Sequence, residues 1–169
     1  MSEITQPLRD EHRELLPHVE RLRALADGIG DSPRATLQHD VDRVYEFLTH
    51  HLIPHAQAEE AVLYPAVGKI LGTPQATATM SRDHVEVSRL TEQLRRLRTQ
   101  VTDANLATDQ ITDLRRVLYG LYALVKVHFA KEEELYLPLL DAHLSEAEAH
   151  QLLHKMADVA HGGQGHSDR

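Results

Sequence analysis

Six side chains recur in a spacing that suits metal ligation. A lone histidine is followed 43 or 44 residues later by His-x-x-x-Glu: His12, then His55 with Glu59, and again His84, then His128 with Glu132. Each member of the second copy lies 72 or 73 positions after its counterpart. The likeness extends outward. Arg9-Asp10-Glu11-His12 answers Arg82-Asp83-His84, and Leu22 and Leu25 answer Leu94 and Leu97. Glu59-Glu60 before Leu63-Tyr64-Pro65 answers Glu132-Glu133 before Leu135-Tyr136-Leu137-Pro138. Such an internal repeat implies a twofold-symmetric architecture.

In an α-helix, residues i and i+4 stand on one face, about 6 Å apart along the axis. His55 and Glu59 therefore share a face, as do His128 and Glu132. Each pair falls inside an apolar stripe, between Leu52 and Val62 and between Val125 and Leu135. Taken singly, each would pass as a tolerated core histidine or a solvated glutamate; six in register do not. A buried unpaired carboxylate costs several kcal/mol, and each unsatisfied polar ring adds about 1–3 kcal/mol. Together these rival the whole stability of a domain, about 5–15 kcal/mol. No Lys or Arg lies on the same stripes, so the compensating charge is expected to be two metal ions bridged by carboxylates. A mixed imidazole and carboxylate set favours iron, with manganese or zinc as substitutes.

The elements that must carry these residues are helical throughout. A first helix covers about 5–27, ended by Gly28 and Gly30. A second opens at Ser32-Pro33 and runs to about 70, where Gly72 stops it. A third starts at Thr73-Pro74. A polar linker, 102–108, leads to a fourth, and Ser145-Glu146-Ala147-Glu148 is a capping box that opens a shorter fifth. The expected fold is all-α: an up-down-up-down four-helix bundle over residues 1–160 with a short fifth C-terminal helix, followed by a disordered Gly-rich tail, 161–169. Kinks are expected near Pro17 and Pro54.

Composition narrows the function classes. The chain has 169 residues, no cysteine, 13 histidines and a net charge of −8. Disulfides and cysteine-ligated metals are excluded, and the acidic balance argues against nucleic-acid binding. The N-terminus shows no basic and apolar leader pattern, and no run approaches a membrane span, so a cytoplasmic protein with no membrane partner is expected.

On these residues the chain resembles the hemerythrin-like family, the HHE cation-binding domain, over about 8–141. The resemblance implies two non-heme iron ions, joined by an oxo or hydroxo bridge, held by His12, His55, Glu59, His84, His128 and Glu132, with the two glutamates bridging. Oxygen-carrying members have a second histidine four residues after the one on the third helix; here that position is Ser88. Their fourth-helix carboxylate comes five residues after its histidine, so Glu133 stays an alternative to Glu132. A site poorer in imidazole disfavours reversible oxygen carriage. The expected partner is a small oxidant (hydrogen peroxide, oxygen or nitric oxide), with catalase-like peroxide disproportionation foremost and a non-enzymatic iron or oxygen sensor, or iron-holding protein, as the alternative. His51 is a candidate further ligand, outer donor or surface filler. Tyr64 and Tyr136 read as core closers with hydroxyls at the rim, or as a metal ligand or radical relay. Glu60 and Glu133 are expected to face solvent or a neighbouring helix. His150 and His154, an i, i+4 pair on the fifth helix, read as surface residues.

Overall fold

The computed structural model describes residues 4–31, 33–101 and 106–162. Five helices account for nearly all of them, and there is no strand among the described residues. Helix α1 is Gln6–Gly28 and runs unbroken through Pro17. Helix α2 spans 34–71, α3 is Ala78–Arg98 after a short 3₁₀ turn at Pro74–Thr77, α4 spans 108–143, and α5 is Glu146–Gly162. The first four pack in a ring, α1 on α2, α2 on α3, α3 on α4 and α4 back on α1. Helix α5 lies across the middle of α2, against residues 53–63.

The ends follow local chemistry. Pro33 caps α2 from outside its first turn; Ser32 lies outside the described residues. The hydroxyl of Thr73 accepts from the Gln75 amide, which starts the 3₁₀ turn. Gly72 ends α2 with φ +73, the left-handed conformation that glycine adopts without strain. At α5 the capping box forms as its sequence implies: Glu148 N–H donates to the Ser145 hydroxyl at 3.3 Å, and Ser145 N–H donates to the Glu148 carboxylate at 2.9 Å. Helix α5 continues to Gly162, two residues past its expected end, and the rest of the proposed tail lies outside the described residues, as do 102–105 of the linker.

Three π turns interrupt the long helices, at Leu48–Leu52, Glu59–Leu63 and Glu132–Tyr136. Each closes with a hydrogen bond from residue i+5 to carbonyl i: Ile53 to Leu48, Tyr64 to Glu59, and Leu137 to Glu132. In every case the donor is the residue just before a proline (Pro54, Pro65, Pro138). Proline has no N–H to offer the carbonyl four residues back, and it crowds the backbone before it. The helix absorbs the defect by widening one turn. An extra residue in a turn rotates everything beyond it by about 100°. The inward stripes expected from a 3.6-residue period therefore fail past each glutamate. Leu63 and Tyr64 are buried where Val62 was expected, and Leu135 is 62% exposed while Leu137 is fully buried.

The buried apolar residues form two separate cores. One packs around Leu22, Val41, Leu94 and Leu118; the other around Leu8, Leu63, Met80 and Leu137. The six repeated His and Glu residues lie between them along the first four helices. His12, for example, falls between Leu8 of the second core and Leu15 of the first.

Candidate metal centre

All six residues converge on one buried layer. Glu59 and Glu132 are 1% and 0% exposed, and His12, His55 and His128 are buried; the His84 side chain is the most open, at 11%. Two groups of ligand atoms gather within 4.8 Å, one from His12, His55, Glu59 and Glu132, the other from Glu59, His84 and His128. Glu59 belongs to both. Its Oε1 lies 2.8 Å from His55 Nε2 and its Oε2 lies 3.0 Å from His84 Nε2. Glu132 divides in the same way, with Oε2 3.3 Å from His12 Nε2 and Oε1 3.5 Å from His128 Nε2. Each carboxylate thus turns one oxygen to each pair of imidazoles.

A ring of carboxylates holds the outer nitrogens of the four imidazoles. His55 Nδ1 donates to Glu11 at 2.9 Å, His84 Nδ1 to Glu60 at 2.7 Å, His128 Nδ1 to Asp83 at 3.0 Å, and His12 Nδ1 to Glu133 at 3.2 Å. The order is cyclic: α1 supports α2, α2 supports α3, α3 supports α4, and α4 supports α1. A carboxylate only accepts, so each ring carries its proton on Nδ1 and presents the Nε2 lone pair inward. Lys131 bonds Asp83, and Ser81 donates to Glu60 at 2.9 Å.

That arrangement asks for a cation. His84 and His128 face each other Nε2 to Nε2 at 3.0 Å, a pairing that needs a proton or a cation between the two nitrogens. His55 Nε2, Glu59 Oε2 and Glu132 Oε2 are buried and, although imidazole and carboxylate atoms stand 2.8–3.3 Å apart, make no well-directed hydrogen bond. The electrostatics of the layer carry the same message. Burial opposes charge on His12 and His128, yet the adjoining Glu132 and Glu59 outweigh it and push them up to about 9 and about 10. Burial likewise raises Glu59, but His55 beside it holds the carboxyl well below its ordinary range. Protons take the place that a metal would fill. The donor set of imidazole nitrogen and shared carboxylate oxygen fits metal binding.

A family model for the hemerythrin HHE cation-binding domain matches residues 3–140. The chain belongs to that family. No curated protein and no solved structure matches it. For this hemerythrin-family chain, the residues expected from the repeat are the ones that converge, and Glu132 points into the layer while Glu133, 40% exposed, supports His12. Glu60 faces the neighbouring helix, as expected, and does so through His84. Ser88 is exposed, in an open groove beside His84, Ile53 and Ala56. His51 stays outside, exposed, with its ring 6.4 Å from that of Phe47. His154 pairs with Asp158 on the surface at 3.1 Å.

The two tyrosines part company. Tyr136 donates to the Ala76 carbonyl at 3.1 Å, away from the centre. Tyr64 is buried, and its hydroxyl donates to Glu132 Oε1 at 2.9 Å, with His128 Nε2 at 3.2 Å and His84 Nε2 at 3.4 Å. The rim position expected for it is corrected by the π turn that rotates it inward. Sequence reasoning also missed Phe129, which stacks on His12 at 4.2 Å, and the role of the four outer carboxylates as partners of the histidine rings. Their signal was present in the repeat itself: an acid directly before each lone histidine and a doubled Glu in each motif.

Proposed function

We propose that the chain holds two iron ions through His12, His55, His84, His128, Glu59 and Glu132, and that it disproportionates hydrogen peroxide. The observation that carries this is the split of Glu59 and Glu132, each turning its two oxygens toward opposite histidine pairs. When bound, the irons would supply a store for two electrons. Disproportionation takes two electrons and two protons from one peroxide and delivers them to another, giving oxygen and two waters without an outside reductant. The protons need protein groups. Tyr64 Oη, hydrogen-bonded to Glu132 Oε1, holds one beside the second histidine pair, and Glu132 is the acceptor next to it. Burial, with the charges of Glu59 and Glu132, raises the Tyr64 phenol, so it stays protonated at neutral pH. Phe129 walls the first pair with an apolar ring and excludes water there. The outer carboxylates keep the imidazoles in the ligating tautomer.

The near-complete burial of the glutamates equally favours a non-enzymatic holder or sensor of iron. Oxygen evolution from hydrogen peroxide by iron-loaded protein, measured without reductant against an equal amount of free iron, separates the two. Turnover above free iron is the expected result; its absence removes the catalytic reading and leaves the holder. No helix among the described residues is long and apolar enough to cross a membrane.

A further inference from the structure

Outside the centre the chain has a second concentration of metal-binding side chains. Where α1, α2 and the C-terminal end of α5 meet, an open groove is lined by His18, His50, His51, His161, Glu11 and Glu14. The same groove reaches His55. His18 and His51 flank one ring, that of Phe47, at centroid distances of 4.9 and 6.4 Å, which places both imidazoles on the same wall. Arg21 engages His18 Nδ1 at 3.3 Å and leaves Nε2 to the groove. Burial, then the charges of Arg21, His51 and Arg43, lower His18 and keep it in the neutral, ligating form. Glu11 and Glu14 supply the negative charge that offsets those cations.

Among the described residues, no three of these groove atoms stand close enough to hold an ion as they are; the only such groups belong to the buried centre. His50, His51 and His161 are exposed, and His50 and His161 hold Nδ1 against the Glu46 and Ala157 carbonyls at 3.1 and 2.6 Å, which leaves Nε2 as their ligating atom; exposed donors of this kind suit brief capture and not storage. A buried centre must be filled from outside, and a hydrated cation enters by exchanging its waters for protein donors. Here the donors run inward: His18 and His51 on the wall, Glu11 at the edge, then His55, whose Nδ1 Glu11 already holds.

We propose that this groove is a docking site for a hydrated first-row divalent cation, from which metal passes over the Glu11–His55 edge into the centre. The passage rests on the di-iron reading; the docking does not. Two measurements test it. With the centre filled by zinc, added Ni²⁺ should selectively broaden the NMR ring signals of His18 and His51 and spare those of His39, His150 and His154. Stopped-flow filling of metal-free protein by Fe²⁺ should slow by roughly tenfold or more in the His18→Gln/His51→Gln/His161→Gln variant, as for loss of local ion concentration. Final metal content should be unchanged, and a His39→Gln/His150→Gln/His154→Gln variant should fill at the normal rate. If the metal-free chain does not fold, chelator extraction from the loaded protein reads the same path in reverse and should slow by the same factor. No selective broadening overturns the docking site. Broadening with equal filling and extraction rates overturns the passage. A chain that takes up no metal in any variant overturns the di-iron reading instead, and the Ni²⁺ titration still decides the groove.

Discussion

Beside His12 and His55 stands Phe129; beside His84 and His128 stands Tyr64. The two halves of the centre descend from one sequence repeat and share carboxylates, yet one wall is a hydrocarbon ring and the other a hydrogen-bond donor. Counting from each motif histidine explains the difference. Pro65 and Pro138 both lie ten residues on, so the residue before each proline is the true equivalent: Tyr64 in one copy, Leu137 in the other. Tyr136 sits one position earlier, and one position on a helix is a rotation of about 100°. Its hydroxyl accordingly goes to the Ala76 carbonyl. Phe129, directly after His128, likewise answers Ala56, directly after His55. The half with Ala56 has its own groove, since that residue lines the surface at His84 and Ser88. A twofold repeat can thus give matched ligand sets and still line the approaches to them differently.

The comparison breaks most completely at Glu59, because both halves depend on it. Glu59→Ala should lose metal from both positions, and the melting temperature of the purified protein should fall by the full stabilisation that metal gives the native state. Elemental analysis after iron reconstitution reads the first effect and a thermal melt the second. Retention of two ions by this variant would mean that Glu59 is not shared. Glu133→Ala should keep its metal far better than Glu132→Ala; the reverse result would place the fourth-helix ligand at 133.

The ligand layer was legible because i, i+4 spacing and a long repeat are both readable without coordinates. Four helices in up-down order followed from the apolar stripes and from stops such as Gly72. What periodicity could not give was the register beyond each glutamate. Val62 and Leu135 fit a 3.6-residue stripe, but the π turns before Pro65 and Pro138 turn Leu135 outward and bring Tyr64 in. The prolines announced those turns; their effect on side-chain direction appears only once the i+5 hydrogen bonds are seen. The outer carboxylates were hidden for another reason. Each supports a histidine on the next helix, so no local spacing links Glu11 to His55 or Asp83 to His128.

The outer ring allows a finer cut between the halves. Removing such a supporting group costs metal affinity by about 10–100-fold in known sites. Glu11→Gln and Glu133→Gln should weaken the half with Phe129, and Glu60→Gln and Asp83→Gln the half with Tyr64. Asp83 is shared with Lys131, so Lys131→Met should strengthen its pull on His128 and move affinity in the opposite direction. Competition titrations against a chelator of known affinity would resolve the two steps. Equal weakening of both steps by every variant would show that the halves are not independently supported.

Tyrosine substitutions sharpen the contrast in catalysis. Tyr64→Phe removes the hydroxyl that bonds Glu132 and should lower peroxide turnover by about 10²-fold or more, the scale of losing a positioned proton donor. It should also change the electronic spectrum of the iron-loaded protein. Tyr136→Phe deletes a similar hydroxyl that bonds the Ala76 carbonyl, away from the centre, and should leave both readouts nearly unchanged. Two variants with the same effect would refute the functional difference between the walls.

The smallest effect expected is also the one that isolates access. Ala56→Phe places beside His84 the kind of ring that Phe129 provides beside His12. Residue 56 is partly exposed on the groove, so the new ring need not displace packed core, and stability should change by no more than about 0.5 kcal/mol, as for a surface substitution. Metal content should stay the same, since no ligand or outer carboxylate is touched. The association rate of azide or nitric oxide with the iron-loaded protein should fall several-fold, with a smaller change in dissociation constant, because a bulkier mouth raises the entry barrier and the exit barrier together. A variant with wild-type association kinetics would mean that small molecules do not enter beside His84, and the two halves would then differ in their walls but not in their exposure to substrate.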